Sequence, residues 1–181
     1  KALPGVIAAS CGLVLAAAYL MFLPVGFNWI DKGSFYFTNL DTDNLINGDF
    51  INLTNGTEDD IDWRTNSGST ASSGTGPSSG TGGGGKYLYL EASGNCEFQE
   101  AVLYTPCIDL AGSIAPELRF AYHMNGANQG SLEVAIFDGS GWTTLFNQNG
   151  NQGNNWNNIA IDISSYAGDT VLFRFKGSFA W

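Results

Sequence analysis

The sequence predicts a mainly β protein, an antiparallel β-sandwich or jelly roll, preceded by one N-terminal transmembrane α-helix. Three observations carry this reading. Residues 2–30 hold no charged side chain, short apolar or alternating runs recur between turn residues in the second half, and no long 3.6-residue periodicity follows residue 31. The chain accordingly divides into a membrane helix at 1–30, a connector at 31–45 and one β-domain at 46–181.

Charge sharpens the division. Seventeen Asp and Glu stand against seven Lys and Arg, for a formal net charge of −10 and a pI near 4.2. Only Lys1 falls within 1–30, so six basic and 17 acidic residues leave the rest of the chain at −11. A body without basic surface cannot neutralise phosphates, which excludes nucleic acid as a partner. Three Cys and one His cannot build a zinc-ribbon array. With 44% hydrophobic and 13% aromatic residues, the composition fills a core and excludes disorder along the whole chain.

The first element is the run Ala2 to Ile30. Roughly 20 helical residues cross the hydrocarbon layer of a bilayer, and this run exceeds that length. Pro4 suits a first helical turn, and Pro24 marks a kink or the end of the regular helix. A secretory signal peptide has a shorter apolar region and a small-residue cleavage site, which Met21-Phe22-Leu23-Pro24-Val25 does not offer. The cysteines and glycine-rich loops of the body favour an oxidising compartment. The expected topology is therefore single-pass, with the C-terminal domain on the extracellular or periplasmic side of the lipid bilayer. Gly5, Ala8, Gly12 and Ala16 form a small-residue stripe suited to docking other membrane-protein helices, and an ordinary Ala and Gly content accounts for it equally well.

In the body, strands are expected at Lys86 to Glu91, Ala101 to Tyr104, Glu117 to His123, Ser131 to Phe137, Thr143 to Phe146, Asn158 to Ile163 and Thr170 to Lys176. Two low-complexity stretches separate them. Ser67 to Gly85, nearly all Ser, Gly, Thr and Pro, reads as a long flexible surface loop. Asn147 to Asn158, with Trp156 among asparagines, reads as a turn-rich connection.

With the strands placed, the order of residues from about Asn47 to Gly177 resembles the MAM domain, an extracellular β-sandwich module. The matching elements include Asp49-Phe50, Asp62-Trp63-Arg64, Gly74-Thr75-Gly76-Pro77 and Gly85-Lys86-Tyr87-Leu88-Tyr89. Further along are Thr105-Pro106-Cys107, the run Leu118 to Met124, Gly130-Ser131-Leu132, Trp142, Trp156, Phe173-Arg174-Phe175 and Gly177. The resemblance implies adhesion or association with extracytoplasmic proteins, and no enzyme activity. It also implies a structural cation, Ca²⁺, held near Asp49 and Glu91. The family's Asp-His-Thr element is replaced here by Ser78-Ser79-Gly80-Thr81. Its last, acidic strand would follow Trp181, so the expectation is that the natural chain continues or that a partner strand fills the gap. The opening Asn44 to Phe50 also resembles the first strand of carbohydrate-binding jelly rolls, which share the architecture and would make glycans the ligand.

Other residues weigh as follows. Glu58-Asp59-Asp60 and Asp62 offer carboxylates for Ca²⁺ but read better as a solvated acidic turn. Cys96 and Cys107 flank one strand, and in an external domain they are expected to close a disulfide loop. His123 lies in an apolar strand with no nucleophile motif in the sequence, and is expected to be packed or hydrogen-bonded. Trp142 and Trp156 are expected to serve structure before ligand. Asn52-Leu53-Thr54 and Asn55-Gly56-Thr57 match the glycosylation acceptor pattern.

Taken together, a membrane-anchored extracytoplasmic module of protein association is expected. An accessory subunit of a respiratory or photosynthetic membrane complex is the alternative, and a carbohydrate-binding module the third reading.

Overall fold

The computed structural model describes residues 50–91 and 99–179. The expected membrane helix, the connector and the docking stripe Gly5, Ala8, Gly12 and Ala16 lie outside the described residues, as do Asp49 and Cys96. Among the described residues no helix is long and apolar enough to cross a membrane.

Among the described residues ten strands follow one another: β1 (Ile51–Asn52), β2 (Arg64–Asn66), β3 (Tyr87–Tyr89), β4 (Glu100–Tyr104), β5 (Ile108–Asp109), β6 (Glu117–Tyr122), β7 (Ser131–Phe137), β8 (Trp142–Asn149), β9 (Asn157–Asp162) and β10 (Thr170–Ser178). One large antiparallel sheet runs β1-β4-β10-β7-β8, with β5 also paired to β10. The remaining strands form two separate antiparallel ribbons, β2-β3 and β6-β9.

The period-2 alternation of strands explains how this packs. On β10, Val171 and Phe173 turn inward and join Val134 and Ile136 of β7, Leu118 of β6, Leu110 and Ile163 in the main core. Phe120 of β6 meets Phe146 and Phe175 edge-on at 5.3 and 5.8 Å, which lays the β6-β9 ribbon over the large sheet. The intervening residue Leu172 points the other way. It packs with Val102, Tyr104 and Cys107 in a second cluster on the sheet's opposite face. There Trp142 stacks on Tyr104 at 5.6 Å and carries the Arg174 guanidinium 4.7 Å from its ring centre. Arg174 also holds Glu133 at 2.7 Å.

The β2-β3 ribbon is attached differently. The Asn52 side chain accepts from the Trp63 backbone N–H and donates to its carbonyl, at 3.0 and 3.1 Å. The Trp63 indole then donates to the Ala101 carbonyl of β4 at 3.2 Å.

Three readings from the sequence need correction. Ser67 to Gly85 is a strand-free surface stretch as expected, but it is tied to the body at several points. Pro77 is buried, Gly76 N–H donates to the Asn125 carbonyl at 3.1 Å, and Ser79 carbonyl receives the Trp156 indole N–H at 3.0 Å. The asparagine-rich stretch is shorter than expected, because β8 continues to Asn149 by pairing Asn147, Gln148 and Asn149 with Glu133, Leu132 and Ser131. The acidic turn is not simply solvated. Asp59 is buried and its carboxylate accepts the Val102 N–H at 2.8 Å, while Asp60 accepts the Glu100 N–H at 2.8 Å.

Candidate functional site

A cleft of about 1110 Å³ is lined together by residues of β3, of β6, of the Gly-Pro loop and of β4 and β10 in the large sheet. Its floor is apolar and aromatic, with Trp63, Leu103 and Phe175 among its lining residues. The rim is more polar, carrying Glu91, Arg119, His123 and Gln129.

At one end the ribbons touch through side chains. Tyr87 of β3 sits edge-on to Trp156 at 5.8 Å, and Trp156 in turn meets His123 at 5.5 Å. Tyr87 Oη donates to the Gly68 carbonyl at 2.6 Å and accepts from Asn66 at 3.1 Å. Burial raises its pKa, an effect the Asn66 hydrogen bond offsets in part. His123 lies one residue past the end of β6, and its Nε2 is 3.1 Å from Asn154 Oδ1. Burial lowers the imidazole pKa below 6.5, with the Asn154 hydrogen bond acting in the opposite sense. This is the packed, hydrogen-bonded histidine that the sequence suggests, engaged with an amide and an indole.

The proposed cation ligands are only partly within view. Glu91 lines the cleft, and its Oε1 accepts the Ser72 hydroxyl at 2.8 Å. Asp49 lies outside the described residues. Among the described residues no three His, Cys, Asp or Glu side chains converge as metal ligands, so Glu91 is the one described residue of that candidate pair. Cys107 is disulfide-bonded. Cys96 and Cys11, the other two cysteines, lie outside the described residues.

Sequence reasoning did not anticipate the cleft. Its walls come from β3 and β6, which are far apart in the chain and share no backbone pairing, and a run of alternating residues does not reveal which neighbour a strand lacks. Trp63 was legible only as part of a motif, and its role as an anchor depends on Asn52 and Ala101 lying opposite. Both glycosylation acceptors are already in use. The Asn52 amide binds the Trp63 backbone, and the Asn55 amide nitrogen, suitably oriented, donates to Asp59 and Asp62 at 3.1 Å each.

The family model for the MAM domain (meprin/A5/mu) matches residues 44–179. The chain belongs to the MAM domain family. The match takes in every described strand of this MAM domain and leaves residues 1–43 outside it.

Proposed function

We propose that this MAM domain is a non-catalytic module of protein association, displayed on the extracytoplasmic side and tethered to the bilayer by the apolar run Ala2 to Ile30. The observation that carries the reading is the family match over residues 44–179, because MAM domains are generally extracellular modules of adhesion and protein interaction. Two further features support it. The body carries a strong acidic excess, as suits a water-facing surface, and Cys107 is oxidised to a disulfide, as suits a compartment outside the reducing interior. Ca²⁺ at Asp49 and Glu91 would act as a structural tie between the start of the domain and the end of β3.

Labelling of intact cells tests the placement. A membrane-impermeant amine reagent should modify Lys86 and Lys176 in whole cells, and the protein should stay with membranes through an alkaline wash. Labelling that appears only after lysis overturns the topology. Release by the wash overturns the anchor. Specific retention on a glycan array with no protein partner favours the carbohydrate-binding alternative.

A further inference from the structure

The sequence holds four Asn-Gly pairs, beginning at Asn47, Asn55, Asn125 and Asn149, and the last three fall among the described residues. An asparagine followed by glycine is prone to modify itself. The glycine nitrogen, unshielded by a Cβ, can attack the side-chain amide carbon of the residue before it. The fold treats the three described pairs differently.

Gly56 gives its N–H to the Asp59 carbonyl at 2.7 Å, and the Asn55 amide lies 3.1 Å from both the Asp59 and the Asp62 carboxylate. Both features oppose attack: the nucleophile is engaged, and the negative charge developing on the amide faces two carboxylates. Gly150 likewise gives its N–H to the Gly130 carbonyl at 2.8 Å. Gly126 differs. Its N–H reaches the Asn151 side-chain oxygen only at 3.4 Å, outside the ordinary range of about 2.7–3.2 Å, and the Gly153 N–H uses that oxygen better at 2.9 Å. The Asn125 amide donates to a neutral acceptor, the Gly74 carbonyl, at 3.3 Å. Gly126 has a φ of +139°, which L side chains rarely adopt, so the backbone there calls for glycine and leaves the nitrogen bare.

We propose that Asn125 is a site of spontaneous deamidation, and that the change loosens the attachment of the Gly-Pro loop. The Gly126 nitrogen gives its proton to water or hydroxide and bonds to the Asn125 Cγ. The Cγ–Nδ2 bond breaks, and ammonia leaves with a proton from solvent. Water then opens the succinimide ring at either carbonyl and leaves aspartate or isoaspartate, so that water is consumed and ammonia released. Asn125 is also where the loop is tied down. Its carbonyl accepts the Gly76 N–H at 3.1 Å and the Gln129 amide N–H at 2.9 Å. A carboxylate in place of the Asn125 amide sets oxygen against the Gly74 carbonyl, and isoaspartate also shifts the backbone carbonyl that holds Gly76. The inference does not depend on the association role.

Peptide mapping of the natural protein, incubated at mildly alkaline pH, tests the site. The amide-to-acid mass shift should accumulate at Asn125 roughly three- to tenfold faster than at Asn55 or Asn149, the difference that one well-made hydrogen bond makes. In urea the three rates should converge, because the dipeptide is the same. Earlier change at Asn55 or Asn149, which their greater exposure alone would favour, overturns the choice of site. So does the same ranking in urea. Hydrogen exchange reads the consequence: the Gly76 amide should exchange severalfold faster in the aged protein and in Asn125→Asp, with β7 unchanged. Asn125→Gln keeps an amide and modifies far more slowly, so its exchange should hold steady through the incubation. Unchanged Gly76 exchange in the aged protein overturns the loosening, and that measurement decides if Asn125→Asp does not fold.

Discussion

Thr105 shows how much one side chain holds in place here. It is fully buried, its hydroxyl accepts the Phe173 N–H at 3.0 Å and donates to the Pro106 carbonyl at 2.8 Å, and its own N–H donates to the Phe173 carbonyl. Thr105→Val keeps the shape but strands a buried donor, so a loss of about 1–3 kcal/mol is expected in urea unfolding, with Thr105→Ser much milder. Asp59 behaves similarly at the edge of β4. Asp59→Ala leaves the Val102 N–H without its acceptor and should also cost about 1–3 kcal/mol. Burial is the main cause that raises the Asp59 pKa above 3.8, ahead of the opposing Val102 hydrogen bond and of repulsion from Asp62, Asp60 and Glu58. A carboxyl with a raised folded-state pKa contributes its stability fully below 3.8 and loses it as pH rises through the raised value. Asp59→Asn keeps an acceptor oxygen without the charge. Its stability should therefore vary less with pH across that window than that of the natural protein, as chemical denaturation at several pH values would show.

At the scale of elements, β7 and β10 form the spine of the large sheet, paired from Leu172↔Phe137 to Ser178↔Ser131. Their ends approach so closely at Gly130 that a Cβ there would run into the Ser178 carbonyl oxygen. Gly130→Ala must push β10 away from β7, at an expected cost of at least about 1–3 kcal/mol in thermal or chemical denaturation. An unchanged midpoint would show that the two strand ends are not held together as described. Such long strands were readable in advance. Ser131 to Phe137 was placed to the residue, because its apolar run ends at turn residues on both sides. The two-residue strands β1 and β5 were not readable, since so few residues carry no period, and they exist because β4 and β10 offer them edges. Asn147 to Asn149 misled for a related reason: polar side chains suggested a turn, while the backbone pairing with β7 decided the matter. The acidic residues misled as well, since burial of Asp59 depends on β4 lying against it, which no local pattern announces.

For the whole molecule, the architecture was legible from strand spacing and motif order, whereas the split second layer was not, because it depends on which distant edges meet. Cys107 adds a covalent constraint to this body. Peptide mapping without reductant should recover Cys107 joined to Cys96, and reduction should lower stability by about 2–4 kcal/mol. Recovery of Cys107 with Cys11 instead would contradict that pairing. The acidic body and the MAM fold together motivate the proposal that this surface meets other proteins outside the reducing interior. Native mass spectrometry of the natural protein, extracted from cells in mild detergent, tests this proposal most directly. The account predicts the chain together with a protein partner in fixed stoichiometry. The chain alone at every concentration, or carrying only bound glycan, would contradict it.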